Sequence, residues 1–171
     1  MVVRTLSADR DADVETYRTI RLASLSTDPL AFGSSYEREI AFGDDDWRRR
    51  LGGIDGRPGV TFIDEVTTEA QPLGTAGIGF TKRDPDPMLI GMWVRPEARG
   101  TGSGRRLVEA AIDWAKAQHA SSVVLWVVQT NDAAIALYRH CGFVPTGTVD
   151  EGPDNRCTDE LEMRLIFNDH P

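Results

Sequence analysis

Residues 88–118 read MLIGMWVRPEARGTGSGRRLVEAAIDWAKAQ, and the reading of this stretch decides the fold. Its first part, Met88 to Val94, is apolar and carries no charge, so it reads as a buried strand. Pro96 ends that strand, because proline has no N–H to give to a ladder. Arg99-Gly100-Thr101-Gly102-Ser103-Gly104 follows. Leu107, Val108, Ala111, Ile112, Trp114 and Ala115 then recur at helical spacing. A glycine-rich turn between strand and helix lets bare N–H groups approach a ligand, and the positive end of the helix dipole points the same way. Such a place holds phosphate.

Two common phosphate loops do not fit. A Walker loop needs Lys and then Ser or Thr after its last glycine, but Arg105 follows Gly104. A dinucleotide fingerprint reads G-x-G-x-x-G with an acid at the next strand, but the spacing here is G-x-G-x-G and the next strand opens Ser121-Ser122-Val123. On these residues alone, a tight turn before an ordinary helix stays open.

Composition narrows the class. At 171 residues the chain is expected to be one domain, 1–171, with 40% hydrophobic residues to build a core. No run approaches the roughly 18 apolar residues of a membrane span. The start, MVVRTLSADR, lacks the apolar stretch of a signal peptide, so a cytoplasmic location is expected and no membrane partner. The two cysteines, Cys141 and Cys157, form no C-x-x-C and have no histidine-rich neighbourhood, so no metal is expected and both read as small apolar residues. A catalytic Cys141 would need a base that adjacent His140 is not placed to supply. A net charge of −8 argues against a nucleic-acid partner. Against that acidity, Arg95, Arg99, Arg105 and Arg106 crowd the glycine turn. Cations at a helix N-terminus oppose the dipole, so an anion should compensate them.

Along the chain, Val2 to Leu6 reads as a strand. Ser7 or Asp9 can cap a helix carrying Val14, Tyr17, Ile20, Leu22 and Leu25. Asp28-Pro29 starts a second helical piece, and Asp44-Asp45-Asp46 caps a third that holds Trp47 and Leu51. Strands follow at Val60 to Val66, Leu73 to Phe80 and Met88 to Val94. After the central helix come a strand at Ser122 to Gln129 and a helix capped by Asn131 that stops at Gly142. Strands at Phe143 to Val149 and Glu160 to Phe167 close the chain. The expected class is α/β with a mixed sheet.

Two motifs carry a resemblance. Arg99 to Gly104 fits Q/R-x-x-G-x-G/A, and Asn131, Ala134, Leu137, Tyr138, Gly142 and Phe143 fit N-x-x-A-x-x-L-Y-x-x-x-G-F. Both patterns, in this order and joined by a strand, resemble the GNAT superfamily of N-acetyltransferases of small bacterial type. The resemblance covers nearly the whole chain. It implies a central, mostly antiparallel sheet of six to seven strands flanked by helices, with central strands that splay apart.

It also implies acetyl-CoA as co-substrate. The backbone of Met92, Trp93 and Val94 would pair with the pantetheine arm. Arg99, Gly100, Thr101, Gly102, Ser103, Gly104 and Arg105 would hold the pyrophosphate. Asn131 would bond the pantetheine or acetyl region, and Tyr138 would protonate the departing sulfur. One departure stands out. Some members place a glutamate base five residues before the asparagine, where this chain has Trp126. The base is then an acid elsewhere, such as Glu37 or Glu39, or a water chain. The expected acceptor is a small-molecule primary amine. Asp150, Glu151, Asp154, Asp159 and Glu160 would steer a cationic one. A peptide N-terminus, and a non-catalytic acyl-CoA-binding module, are the alternatives. Monomer and homodimer both remain open.

Overall fold

The computed structural model describes residues 1–53, 56–66, 71–151 and 159–167. Cys157, Asp154 and most of the polar turn after residue 66 lie outside them. Seven strands form one sheet: β1 Val2–Leu6, β2 Gly59–Glu65, β3 Gly74–Gly79, β4 Met88–Val94, β5 Ser122–Val128, β6 Val144–Asp150 and β7 Glu160–Ile166. Their spatial order is β1-β2-β3-β4-β5-β7-β6. Every neighbouring pair is antiparallel except β4 with β5, which is parallel. The mixed α/β sheet expected from the sequence is therefore observed.

Among the described residues, five α-helices cover the sheet: α1 Asp11–Thr27, α2 Tyr36–Ile40, α3 Asp44–Leu51, α4 Ser103–Ala117 and α5 Asp132–His140. Successive strand residues face opposite sides, so one strand serves two cores. Phe62 of β2 joins Ala76, Leu89, Val123, Leu125 and Val127 beneath α4, whose Leu107, Val108, Ala111 and Ala115 are buried. Its neighbour Ile63 turns the other way, to Leu6, Val14, Trp47 and Leu51 under α1 and α3. Each such fully buried aliphatic side chain contributes about 1.5–3 kcal/mol. Trp47 has no exposure, and the edges of Tyr17 and Phe42 meet it at 6.0 and 5.5 Å between centroids.

Helix starts differ from the sequence expectation. Neither Ser7 nor Asp9 caps α1; its N-cap is Arg10, with no side-chain bond. Asp13, in the first turn, instead ties the helix start to the chain before it. It is 1% exposed and accepts from Ser7 N–H (3.0 Å) and Arg4 Nη1 (2.8 Å). The second helical piece splits into a 3₁₀ turn at Pro29–Ala31 and α2, which is capped by Ser35. Gly43, not an aspartate, is the N-cap of α3, and Asp46 Oδ2 accepts its N–H at 3.1 Å. The glycines of β3 serve close packing. A Cβ on Gly74 would stand 2.8 Å from Trp93 O, and one on Gly77 would stand 3.2 Å from Ile90 Cγ1.

Candidate active site

The turn before α4 leaves its backbone N–H groups free to meet an anion. Gly100 and Gly102 have φ of +77° and +84°, a region that L side chains avoid. The first backbone bond of α4 runs from Arg106 N–H to Gly102 O at 3.1 Å. The N–H groups of residues 102–105 therefore precede the helical ladder. No side chain caps this end, and its first turn holds no acid. Ser103 Oγ is buried without a hydrogen-bond partner. Free N–H groups, an orphaned hydroxyl and an uncompensated dipole fit a diphosphate.

Gly104 has a different role. A Cβ on Gly104 would meet Leu137 Cδ2 at 3.0 Å and Met92 Cε at 3.4 Å. Gly104 thus lets α4 settle on β4 and α5, a packing role that the motif spacing does not reveal. The arginine cluster is also answered from within. Arg99 Nη2 bonds Asp28 Oδ2 (2.6 Å), Arg105 Nε bonds Glu109 (2.7 Å), and Arg106 grips buried Asp64 through Nη2 (2.6 Å) and Nε (3.3 Å). Arg95 Nε donates to Pro72 O at 2.8 Å. The Arg99 and Arg105 side chains are 50% and 57% exposed, so their pairs are weak and either can turn to a phosphate.

The sheet opens beside this turn. β4 and β5 pair only at Met88 with Val124 and Leu89 with Leu125, and beyond that the strands part. A bulge on β4 marks the departure. Trp93 lies opposite Thr75, but Ile90 lies opposite Gly77, so β4 has one residue more than β3, and Gly91 there has φ +59°. Trp93 and Val94 keep their β3 partners on one edge, and their other edge faces the opening. Trp93 Nε1 donates to Asp28 Oδ2 at 2.7 Å, the same oxygen that receives Arg99.

Helix α5 follows β5. Asn131 caps it, Oδ1 accepting from Ala134 N–H at 3.2 Å, and this leaves its amide N–H₂ for a ligand. Tyr138 is 7% exposed, with its ring 6.0 Å from that of Phe143. Burial pushes its phenol well above the usual tyrosine value, so it is held as a neutral donor. Burial likewise pushes the Cys141 thiol up, away from the thiolate that nucleophilic catalysis would need.

On the opposite face of the sheet lies a cleft of about 360 Å³. Residues of α1, α3, the 31–34 loop and β2 to β5 wall it, with Glu160 of β7. Trp126 lines it; Trp93 does not. The charged side chains on its wall are Arg21, Arg50, Arg83 and Glu160, among the described residues. Arg83 stacks 5.3 Å from the Trp126 ring centre and pairs with Asp150 at 2.7 Å. Burial pushes the Glu160 carboxyl up, Asp150 adds to this, and Arg83 acts against it.

Glu39, one candidate base in the sequence, is fully buried and lies outside the cleft wall. Its burial alone would raise its pKa. The Arg21 guanidinium, at 2.9 and 2.8 Å, and the nearby Arg50 charge outweigh that and hold the carboxyl below its usual range. A carboxylate so engaged is a poor proton acceptor. Glu37 does not line the cleft either. Sequence reasoning missed Arg21 and Arg50 as wall residues, because they lie on two helices 29 positions apart with no motif to join them.

A family model described as the acetyltransferase (GNAT) family matches residues 21–143. A mycothiol acetyltransferase of Kocuria rhizophila is 30% identical over 156 residues, covering 82% of this chain and 52% of that protein. The chain thus spans about half the length of that relative, and less of other mycothiol acetyltransferases that it matches. The N-alpha-acetyltransferase RimI of Mycobacterium tuberculosis is 34% identical over 126 residues, covering 65% of this chain and 70% of that protein. Among solved structures, yncA of Salmonella typhimurium with acetyl-CoA has a TM-score of 0.76 at 21% identity, covering 100% of this chain and 96% of that one. A GCN5-related N-acetyltransferase of Kribbella flavida has a TM-score of 0.74 at 24% identity, covering 97% of each chain.

Proposed function

The chain belongs to the acetyltransferase (GNAT) family, and from that premise we propose that it moves the acetyl group of acetyl-CoA directly to the primary amine of a small molecule. The observation that carries this reading is the parting of β4 and β5 after Leu89 and Leu125. On one side of that opening lie the uncapped start of α4 and the buried phenol of Tyr138; on the other lies the cleft. A thioester reaching into the opening meets an amine from the cleft.

The N–H groups of Gly100 to Arg105 hold the diphosphate, with Arg99 and Arg105 beside them. The free edge of Met92 to Val94 takes the pantetheine amides as a neighbouring strand would. Asn131 offers its amide N–H₂ to the same arm. Acetyl-CoA supplies the thioester; the protein supplies position and protons.

In the reaction the amine nitrogen bonds to the thioester carbonyl carbon and the C–S bond breaks. A primary ammonium with a pKa of about 10.4 must first lose a proton. Glu160 is suited to accept it, since it is the carboxylate on the described cleft wall and its proton affinity is raised. A backbone N–H at the β4 bulge, near Met92, faces the developing oxyanion. Tyr138 protonates the leaving sulfur, and the second proton, shed by the nitrogen once it is acylated, returns to the phenolate through water.

Initial rates over a grid of acetyl-CoA and amine concentrations test this reading. Intersecting reciprocal plots are expected for a ternary complex. Parallel plots, or no amine-dependent release of CoA thiol, would overturn it. Peptide N-termini are the second reading, favoured by the relation to RimI; turnover of peptides but of no small amine would select it. The expectation of acidic steering toward a cationic acceptor draws little support from the cleft, where arginines outnumber acids and Asp150 is paired with Arg83.

A further inference from the structure

Resting on the acetyltransferase reading, we propose that the amine acceptor carries a carboxylate, which Arg21 and Arg50 bind on the helical wall of the cleft. Arg21 is 8% exposed, yet it lines the cavity. Its Nε and Nη2 are spent on Glu39, at 2.9 and 2.8 Å, while Nη1 has no hydrogen-bond partner among the described residues. Phe32 lies against the guanidinium, 4.7 Å from ring centre to Cζ, and fixes its plane. Arg50 Nη2 approaches the same Oε1 of Glu39 at 3.1 Å. Two guanidinium groups therefore share one carboxylate, and the wall keeps a net charge of +1. Arg83 adds nothing to this surplus, because Asp150 neutralises it.

Arg21 and Arg50 share their one counterion and the Arg50 side chain is 34% exposed, so the surplus is open to an anion that enters the cleft. Ser34, on the same wall, stands beside Glu39 and helps hold its carboxyl ionised, so it brings no acid of its own to the cleft. The unspent Arg21 and Arg50 donors on this wall offer positive charge and no acceptor charge. A monoanion balances a surplus of one; a phosphate dianion would exceed it. The planar guanidinium fork also matches a carboxylate. Ile78, Met88, Leu89 and Ile90 give the cleft an apolar floor for an aliphatic body, and Glu160 waits for the ammonium proton. The acceptor class is thus a small aliphatic amine with a carboxylate, the pattern of an amino acid.

The test uses matched acceptors with acetyl-CoA: an aliphatic α-amino acid, its carboxamide, its decarboxylated amine and an aminoalkyl phosphate. In the wild type, kcat/KM should be about ten- to a hundredfold higher for the acid than for the carboxamide. Arg50→Gln, whose side chain is 34% exposed, should bring that ratio toward one, and Arg21→Lys should lower it as well. Acetyl-CoA affinity, measured by calorimetry on each variant, shows that the variant is folded, and the ratio needs no comparison of absolute rates. Equal rates for acid and carboxamide, preference for the phosphate, or an unchanged ratio in folded Arg50→Gln would overturn the inference and leave the acetyltransferase reading standing. No turnover of any amine would overturn that reading and this inference with it.

Discussion

Leu89 and Leu125 are the last residues that β4 and β5 pair in register. Both are buried in the core under α4. The strands are pinned together at this pair and free of one another beyond it, where the bulge at Gly91 turns β4 aside. An opening made this way is built into the backbone of the two strands.

Tyr138→Phe should retain the fold and the affinity for acetyl-CoA, because the ring packing against Phe143 survives. Its kcat should fall by roughly ten- to a few hundredfold, the lower range for a general acid, since a thiolate is a tolerable leaving group. A burial-raised phenol stays protonated beyond the ordinary tyrosine value of about 10, so wild-type activity should show no alkaline limb from Tyr138 below that pH. Wild-type rates in Tyr138→Phe would remove this residue from the mechanism.

Glu160→Gln removes the proton acceptor on the cleft wall. The carboxyl is raised, so it is protonated and inactive as a base at acidic pH and becomes active as pH rises through its value. The acidic limb of the wild-type kcat profile should therefore lie above the usual glutamate value of about 4.3. The variant should lose about ten- to a hundredfold in kcat and the limb with it. A pH profile identical in both proteins would exclude this role.

Gly104→Ala tests packing at the phosphate turn. The added Cβ would stand 3.0 Å from Leu137 Cδ2, so α5 or α4 must shift. Overpacking of this kind costs about 1–3 kcal/mol, only partly offset by the better helix propensity of alanine, about 1 kcal/mol. Urea denaturation reads the difference. An equally stable variant would mean that the Leu137 contact yields freely.

Glu39→Gln should destabilise the fold by about 3 kcal/mol, because two guanidinium groups lose their buried counterion. The wild-type pH dependence follows from the lowered carboxyl. Its contribution is complete above the unfolded value of about 4.3, and it is lost as pH falls through the lower folded value. Wild-type stability should drop below that pH more steeply than that of the variant. Parallel acid profiles would show that Glu39 is not the responsible group.

Several features were legible because they are local. The Met88–Val94 strand, the turn through Gly104, the Asn131 cap and the left-handed Gly142 each depend on residues within a few positions. Backbone sterics and hydrogen bonding act over that range, so pattern alone determined them and the α/β class with them. Helix caps were less secure. At α1 neither expected residue caps the helix, and the buried Asp13 of its first turn bonds Arg4 and the Ser7 N–H instead.

What only the tertiary structure decided involves side chains brought together from afar. Arg21, Glu39 and Arg50 meet because α1, α2 and α3 fold over one another. Asp28 joins Trp93 and Arg99 across more than sixty positions, and Arg106 finds Asp64 across forty-two. Arg99 and Arg106 looked uncompensated in the sequence because their partners, Asp28 and Asp64, lie on other parts of the chain. Glu39 was a candidate base in the sequence until its surroundings held it as a counterion, and Glu160, read there as the start of a strand among acids that steer a cation, stands on the cleft wall with a raised proton affinity. Charge and burial are properties of position in space, and the chain order of these residues does not encode their distances; packing does.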